Sequence, residues 1–389
     1  MKRLLSLLLI GEVHAIEMTD YRTIYGKYDE AYINGALHST TGNQEQTSYD
    51  LKLQANTKTI YTTAPYSFEF TAEGNTNLSQ SEDSNISNTK AYAIYSTTRY
   101  DKYLDYDETF IYTGTDLGYR KLATLDNADN TFFKISTGLG YGRMYDATPL
   151  AITLRIMEEL KEYDVIKKSL NDVQMLDLAK IIGTKDDYMS KYGEIDYKTY
   201  WFKDIEEILI DSEILTTGAL GAVGVIKIEE IIEIEKISGR FHGWKVRGGI
   251  GQILSSYDGQ NESTTVDVEL SYGLPIGYQA QYTENAHLSK NLDNTKPINF
   301  QFENNMQFTY EISDLIDWEN SWDNEVDFFH EGDNVMYNRL STGLRYYLAN
   351  NLTIDSTISL EKTSGTNGNM IETKEWDGNL FIGVRYRLK

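Results

Sequence analysis

The residues best suited to bind a solute or an ion are charged side chains that alternate with apolar ones in extended segments. The basic members of this set are Lys245, Arg247, Arg339, Arg345, Arg385 and Arg387. The acidic members are Asp267, Glu269, Glu303, Asp355 and Glu361. Successive side chains of a β-strand point to opposite faces, so this alternation places all of them on the polar faces of strands.

Two interpretations of these charged faces remain open at the level of the sequence. If the strands close into a barrel, the charges are candidates to line its lumen. A lumen with both signs of charge produces a transverse field that orients polar solutes. In the other interpretation the charges pair with their neighbours and only fill a polar interior.

The histidines give little support to an enzyme or a metal site. Those that follow the N-terminal segment are His38, His242, His287 and His330, and none has a metal-ligand spacing with another. Three of them fall near loop ends, where an esterase triad could form, but no local sequence marks a serine nucleophile. We therefore predict no enzymatic activity.

Acidic clusters and a glycine repeat also favour structural interpretations. The acidic residues Asp146, Asp172, Asp186, Asp187 and Glu194 do not follow the order of a calcium-binding loop. Glu82, Asp83 and the acids between 126 and 129 are read as solvated loop residues, so neither a metal nor another cofactor is expected. Gly138, Gly140 and Gly142 share one face of an alternating segment, which predicts a close backbone approach or a kink in a strand.

Composition excludes several classes of protein. The 389 residues carry a formal net charge of −23, which argues against binding to nucleic acid and against docking on anionic lipid headgroups. There is no cysteine, so neither a disulfide nor a thiolate site can form. Tyrosine is abundant, with 30 copies, and this residue suits strands and membrane–water interfaces.

The N-terminus has the order of a secretory signal peptide. A basic start, Met1-Lys2-Arg3, precedes an apolar stretch from Leu4 to Ile10, and Val13-His14-Ala15 offers small residues for cleavage. This pattern predicts export through the Sec route with residues 1–15 removed. The alternative to a signal peptide is that this segment is only a mildly amphipathic N-terminus. Beyond this segment no run of about 18 apolar residues occurs, so no transmembrane helix is expected.

Alternation with a period of two extends over most of the chain and predicts about 14 strands. Their predicted bounds are roughly 28–38, 46–58, 65–75, 88–102, 108–121, 131–144, 241–256, 263–274, 276–288, 298–311, 318–329, 335–348, 351–363 and 374–388. Long polar connections alternate with tight turns along the chain, which is typical of an outer-membrane barrel and not of a soluble sandwich.

One stretch, 147–237, departs from this alternation and predicts a helical insertion after the sixth strand. Thr148 and Pro149 are expected to start one helix, Ser169 or Asp172 to cap a second that ends at Gly183, and a third to span 200–215. The acidic segment 228–235 could be helix or strand. The predicted domains are therefore 16–146 and 238–389 for the two parts of the barrel, with 147–237 periplasmic or plugging the lumen.

The chain resembles the porin-like outer-membrane β-barrels of Gram-negative bacteria. Gly383, Tyr386 and Leu388 at its end look like the C-terminal assembly signal of that class. The resemblance implies an all-β membrane barrel whose partners are outer-membrane lipid and the barrel assembly machinery. The function that we expect is a channel for small hydrophilic solutes or ions. The alternative is a structural or assembly barrel that binds a periplasmic envelope protein through 147–237.

Overall fold

The structure is a computed structural model of the chain. It describes residues 16–42, 45–85, 88–104, 108–121, 131–234, 237–257, 262–349, 351–365, 372–373 and 375–388. The predicted signal peptide and the acidic loop residues 126–129 lie outside the described residues. The chain divides into two compact units, a barrel and a helical unit, and each is described by itself.

The barrel consists of fourteen antiparallel strands, each paired with its neighbours in the sequence, and it closes on itself. The strands are β1 (Gly26–Thr40), β2 (Ser48–Thr62), β3 (Tyr66–Gln80), β4 (Thr89–Tyr103), β5 (Thr109–Lys121), β6 (Thr131–Asp146), β7 (Phe241–Ser255), β8 (Ser263–Ile276), β9 (Ala280–Asn291), β10 (Ile298–Ser313), β11 (Ile316–Phe329), β12 (Val335–Ala349), β13 (Leu352–Ser364) and β14 (Asp377–Arg387). The fold class and the strand number predicted from the alternation are confirmed.

The first and the last strand complete the barrel. The register pairs Tyr32 with Arg387 and Gly35 with Val384. Strand lengths run from 11 residues in β14 to 16 in β6 and β10. A tilted strand of about 9–11 residues already crosses the hydrocarbon of a bilayer, so every strand is long enough to span it.

In the barrel, charged side chains are buried and apolar side chains are exposed, which is the opposite of the arrangement in a soluble protein. On β6, Lys134 is only 5% exposed, whereas Leu139 on the opposite face is 62% exposed. The same contrast recurs on β7, where Lys245 is buried and Ile250 is exposed. An apolar outer face around a closed barrel of this kind requires lipid rather than water as its surroundings.

The connections separate into short turns and longer loops, as the sequence predicts. Tight turns join β2 to β3, β8 to β9 and β10 to β11, whereas longer connections join β7 to β8, β9 to β10 and β13 to β14. Three predicted boundaries were wrong by four or five residues. β2 continues to Thr62 instead of ending at 58, and β3 continues to Gln80 instead of ending at 75. β9 begins at Ala280 instead of 276, because Gly277 with a φ of +61° forms the turn.

The glycines of β6 lie where an added side chain would have no room. A Cβ atom on Gly140 would collide with the ring of Phe110 and with the backbone oxygen of Val246 on β7, and one on Gly138 would meet Tyr112 and the backbone oxygen of Gly248. Both aromatic side chains belong to β5 and are fully buried. Gly142 has a φ of +98°, which favours glycine. The close approach predicted for this repeat is confirmed.

The helical unit has its own hydrophobic core. Its helices are α1 (Thr148–Glu162), α2 (Asp172–Gly183), α3 (Lys185–Asp211) and α4 (Gly221–Glu229), followed by a π-helical turn, Glu230–Ile234. Fully buried members of the core include Leu150, Ile156, Leu160, Leu178, Trp201, Ile205 and Leu209. Within the described residues, no helix combines the length and the apolar character needed to cross a membrane.

The helix caps differ from those predicted. Thr148 is the first residue of α1 rather than its cap, and its backbone N–H donates to Oδ1 of Asp146 at 2.9 Å. Asn171, rather than Ser169 or Asp172, caps α2 by accepting from the N–H of Gln174 at 3.0 Å. In each case the oxygen acceptor precedes the helix by one or two residues, which is where the free N–H groups point. The predicted end of α2 at Gly183 is confirmed.

Three further differences concern the extent of the helical unit. The third helix runs from Lys185 to Asp211 rather than from 200 to 215, and Gly193, with a φ of +79°, breaks its periodicity. The described part of the acidic segment 228–235 is helical. Residues 16–23 belong to the helical unit and not to the barrel, because Met18 and Tyr21 are buried in its core and the Tyr21 hydroxyl donates to Ala179 O at 3.3 Å.

We expect Gly140→Ala to destabilise the barrel by about 1–3 kcal/mol, because the added methyl group collides with the buried Phe110 ring. The matched control is Gly74→Ala, whose Cβ would lie 3.6 Å from Ile94 at ordinary contact distance. This control should be neutral or stabilising by up to about 1 kcal/mol. Urea unfolding in detergent, followed by heat-modifiable migration on a gel, measures both. Equal effects of the two substitutions would contradict the packing described.

Candidate functional site

The interior of the barrel contains ion pairs between strands that are not neighbours. Lys245 and Arg247 on β7 both contact Asp101 on β4, although β5 and β6 lie between these strands in the barrel. Such contacts are possible only through the inside of the barrel. Asp101 is 0% exposed, so its charge is fully removed from water.

The geometry around Asp101 is that of strong, charge-assisted hydrogen bonds. Arg247 donates to both carboxylate oxygens, from Nε at 2.8 Å and from Nη2 at 2.9 Å. Lys245 Nζ donates to Oδ2 of Asp101 at 3.0 Å and also to Glu69 on β3. Two donors in a planar fork match a carboxylate in both charge and direction.

The pairing continues to the neighbouring strands. Arg247 Nη1 lies 3.3 Å from Glu269 on β8, and Glu269 is also bound by Arg99 on β4 at 2.7 Å. Arg99 reaches Asp116 on β5 at 2.6 Å. We name these seven residues the cross-barrel network: Glu69, Arg99, Asp101, Asp116, Lys245, Arg247 and Glu269.

The cross-barrel network closes one side of the interior. Its side chains are buried or nearly so, and beside it Lys134 pairs with Asp267 at 2.7 Å. Buried ions lose hydration that only well-placed partners restore, so removing one partner leaves an uncompensated charge. The network therefore holds β3, β4, β7 and β8 in a fixed arrangement. On this side the charged side chains are paired with one another across the interior of the barrel.

A second group of ion pairs lies on the other side of the barrel and is centred on Arg345 of β12. Arg345 lies 2.7 Å from Glu319 on β11 and 3.3 Å from Asp355 on β13. Asp355 forms a further ion pair with Arg385 of β14 at 2.6 Å, although these atoms are not aligned as a hydrogen bond. The Arg385 guanidinium lies over the Tyr32 ring. These contacts link strands on both sides of the closure between β1 and β14.

Some inward-facing charged side chains on β10–β13 remain exposed. Glu303 is 51% exposed and Arg339 is 45% exposed, and Arg339 pairs with Glu361 at 3.3 Å. Glu303 alternates with the apolar Phe302, and Arg339 with the outward Leu340, so both charges point inward. The area that they expose therefore faces space inside the barrel, which water can fill.

One strand supplies a row of carboxylates that the sequence analysis missed. Every second residue of β11 faces inward, and these positions hold Asp317, Glu319, Ser321, Asp323, Glu325 and Asp327. We call the five carboxylates the β11 acidic column. The strand itself was predicted, at 318–329, but the carboxylates on its polar face were not among the predicted site residues. Alternation with Trp318, Trp322 and Val326 is the signal that would have revealed it.

The remaining predicted residues lie as follows. Arg387 faces inward opposite Tyr32 of β1. Of the proposed assembly signal, Gly383 faces inward beside the Phe381 ring, whereas Tyr386 and Leu388 are exposed on the outer face.

Among the histidines, His287 lies 3.3 Å from Asp267, and the buried His242 stacks on Tyr145. Within the described residues no three acidic or histidine side chains are placed to hold a metal ion.

Comparisons with known proteins return only distant structural likenesses. No protein-family model and no curated protein matches this chain. Similar solved structures include a loop-deletion mutant of OmpT, an outer membrane protein of Vibrio cholerae, at 9% identity and a TM-score of 0.36, covering 93% of this chain and 99% of that one. An outer membrane channel from Pseudomonas putida is 8% identical with a TM-score of 0.36, covering 96% of this chain and 99% of that one.

CdiB from Escherichia coli is 7% identical with a TM-score of 0.39, and the match covers 93% of this chain and 62% of that one. With TM-scores this low, the likenesses add nothing to what the strand pairing and the apolar outer face already define. The chain is a closed 14-strand barrel of the outer-membrane type.

We expect Arg247→Ala to destabilise the barrel by about 3–5 kcal/mol, because Asp101 is left buried with one cationic partner fewer. The matched control is Arg339→Ala, which breaks the exposed pair with Glu361 and should cost less than about 1 kcal/mol. The free energy of unfolding in detergent measures the difference. A similar loss for both variants would show that the cross-barrel network does not stabilise the barrel.

Proposed function

We propose that this chain is an outer-membrane channel for small hydrophilic solutes or ions and has no enzymatic activity. The observation that carries the proposal is the exposure of inward-facing charged side chains on β10–β13, notably Glu303 and Arg339. Charged groups exposed to space inside a closed barrel give that space a polar, hydrated wall. A barrel of 14 strands also encloses a wider lumen than the side-chain-filled barrels of eight strands.

The arrangement of charges supports a path along one side of the interior. The cross-barrel network occupies the side of β3–β8, where its residues are buried and mutually paired. Along β10–β13 the β11 acidic column stands beside Arg339 and Arg345 on the next strand. Both signs of charge therefore border the open side, which is the arrangement that orients a polar solute in a transverse field.

Location and assembly form part of the same proposal. We infer export through the Sec route by the segment 1–15 and insertion into outer-membrane lipid. The C-terminal residues Gly383, Tyr386 and Leu388 are proposed as the signal for the barrel assembly machinery. The exposed apolar side chains on the outer faces of β4–β8 and β11–β14 support the lipid environment. The net charge of −23 gives no support to a nucleic-acid partner.

A second candidate function follows from the helical unit. Its core is independent and includes Trp201, Ile205 and Leu209, yet Val223 and Ile226 of α4 are exposed. Connections of more than about 15 residues in a compact domain are usually functional. We propose that this unit, spliced between β6 and β7, binds a periplasmic envelope protein. Occlusion of the lumen by the same unit stays a prediction.

The absence of cysteine allows a direct test of the lumen. Ser341 of β12 faces inward and Ser356 of β13 faces outward, so Ser341→Cys and Ser356→Cys form a matched pair. In planar bilayers the full chain should give stepwise conductance. A charged, water-soluble methanethiosulfonate reagent should reduce the conductance of Ser341→Cys and leave that of Ser356→Cys unchanged, since only the former thiol meets lumen water.

Two results would contradict the channel. One is the absence of conductance both from the full chain and from a variant that lacks 147–237. The other is equal modification of both cysteine variants, which would remove the distinction between the inner and outer faces. For the second candidate, the full chain should retain one defined envelope protein that the variant without 147–237 does not retain. Retention by both, or by neither, counts against that role.

A further inference from the structure

The long-loop end of β10 and β11 brings three carboxylates together. Glu303 lies directly opposite Glu325 in the register, and Gln301 lies opposite Asp327. Asp327 is the next inward-facing residue of β11 after Glu325 and is therefore diagonal to Glu303 across the same strand pair. Like charges directly opposite each other destabilise a sheet, so this arrangement costs folding free energy. We name Glu303, Glu325 and Asp327 the carboxylate trio.

The trio contains an unsatisfied buried acceptor. Asp327 is 5% exposed, and its Oδ1 atom has no hydrogen-bond partner. Glu325, by contrast, accepts from Gln301 Nε2 at 3.1 Å. A buried carboxylate oxygen without a donor is costly, and a donor supplied from outside the chain would remove that cost.

The trio is open to the interior space and has little basic compensation. Glu303 is half exposed there, and its nearest basic partner is His287 Nδ1 at 3.9 Å. For Glu325 and Asp327 no ion pair with lysine or arginine is found within the described residues, whereas Arg345 and Arg339 bind other carboxylates of this side. A cation that enters the lumen therefore meets uncompensated negative charge at this level.

The spacing of the three carboxylates restricts the kind of cation that can bind to all of them. Within the described residues no three acidic or histidine side chains could hold one metal ion. A ligand whose N–H donors are spread over several ångströms can reach carboxylates that are too far apart for one metal. Ammonium and guanidinium groups carry several such donors and bind carboxylates with charge-assisted hydrogen bonds.

We propose that Glu303, Glu325 and Asp327 form a binding site for the ammonium or guanidinium groups of a cationic organic solute. The proposal rests on the proposed channel function and names the class of solute that such a channel would favour. The site lies toward the long-loop end, so a solute entering from that side would meet it early. Gln301 holds Glu325 in place and can offer its side-chain carbonyl to the same solute.

The test is the binding of spermidine to the detergent-solubilised full chain by titration calorimetry. We expect Glu303→Gln combined with Asp327→Asn to weaken the affinity at least about tenfold, because two charge-assisted contacts are lost. The matched control is Glu361→Gln, which removes one inward-facing carboxylate outside the trio and should change the affinity less than about twofold. Glu303→Gln alone should also weaken binding. Because Glu303 is half exposed, this substitution should leave the folding of the barrel intact.

Each outcome supports or overturns the inference. No binding by the unmodified chain overturns it, and so does an equal loss for the trio variants and Glu361→Gln, which would indicate only general attraction to a negative interior. Spermidine should also reduce the channel current of the unmodified chain more than that of Glu303→Gln. Conductance without spermidine binding overturns the site but not the channel, whereas binding without conductance overturns the channel but not the site.

Discussion

The attachment of Lys245 and Arg247 to Asp101 across the interior is the interaction on which the rest of the structure depends. These charges lie on strands that are separated by two others, and all three are buried. In the absence of water each charge requires its partner, so the two walls of the barrel cannot move apart at this level without exposing an unpaired ion. The contact of the Phe110 ring with Gly140 on the intervening strands is consistent with that close approach.

This constraint makes the interior asymmetric. The side of β3–β8 is closed by the cross-barrel network, and exposed polar surface remains along β10–β13. The apolar outer face and the charged inner face are two consequences of one alternation, because a strand with a period of two must present opposite chemistry to its two sides. Lipid satisfies the outer face, while ion pairs and water satisfy the inner one.

The barrel was predictable from the sequence because its signal is local. Alternation marks each strand, and the segregation of tight turns from long loops marks the closed topology, so fourteen strands were found within a few residues of their ends. The charged residues of β7 and β8 were also identified by alternation. Their partners Glu69, Asp101 and Arg99 were not, because contact across the interior depends on barrel closure and stagger rather than on spacing along the chain.

The differences in the helical unit have an equally physical origin. Asp146 lies at the end of a strand and Asn171 in a connection, so nothing in the helical periodicity singled out these two acceptors. Met18 and Tyr21 follow the predicted signal peptide and pack into a core formed by residues more than a hundred positions later, which no local pattern reveals. The β11 acidic column was accessible to the same alternation argument that located its neighbours.

We propose that a hydrated path lined by excess carboxylate runs through the β10–β13 side of the barrel. The most direct measurement is the reversal potential of single channels in a planar bilayer under a KCl gradient. We expect stepwise currents whose reversal potential shows a preference for K⁺ over Cl⁻, because the five carboxylates of the β11 acidic column outnumber the basic side chains Arg339 and Arg345 beside it. A preference for Cl⁻, or no current steps from correctly folded protein, would contradict it.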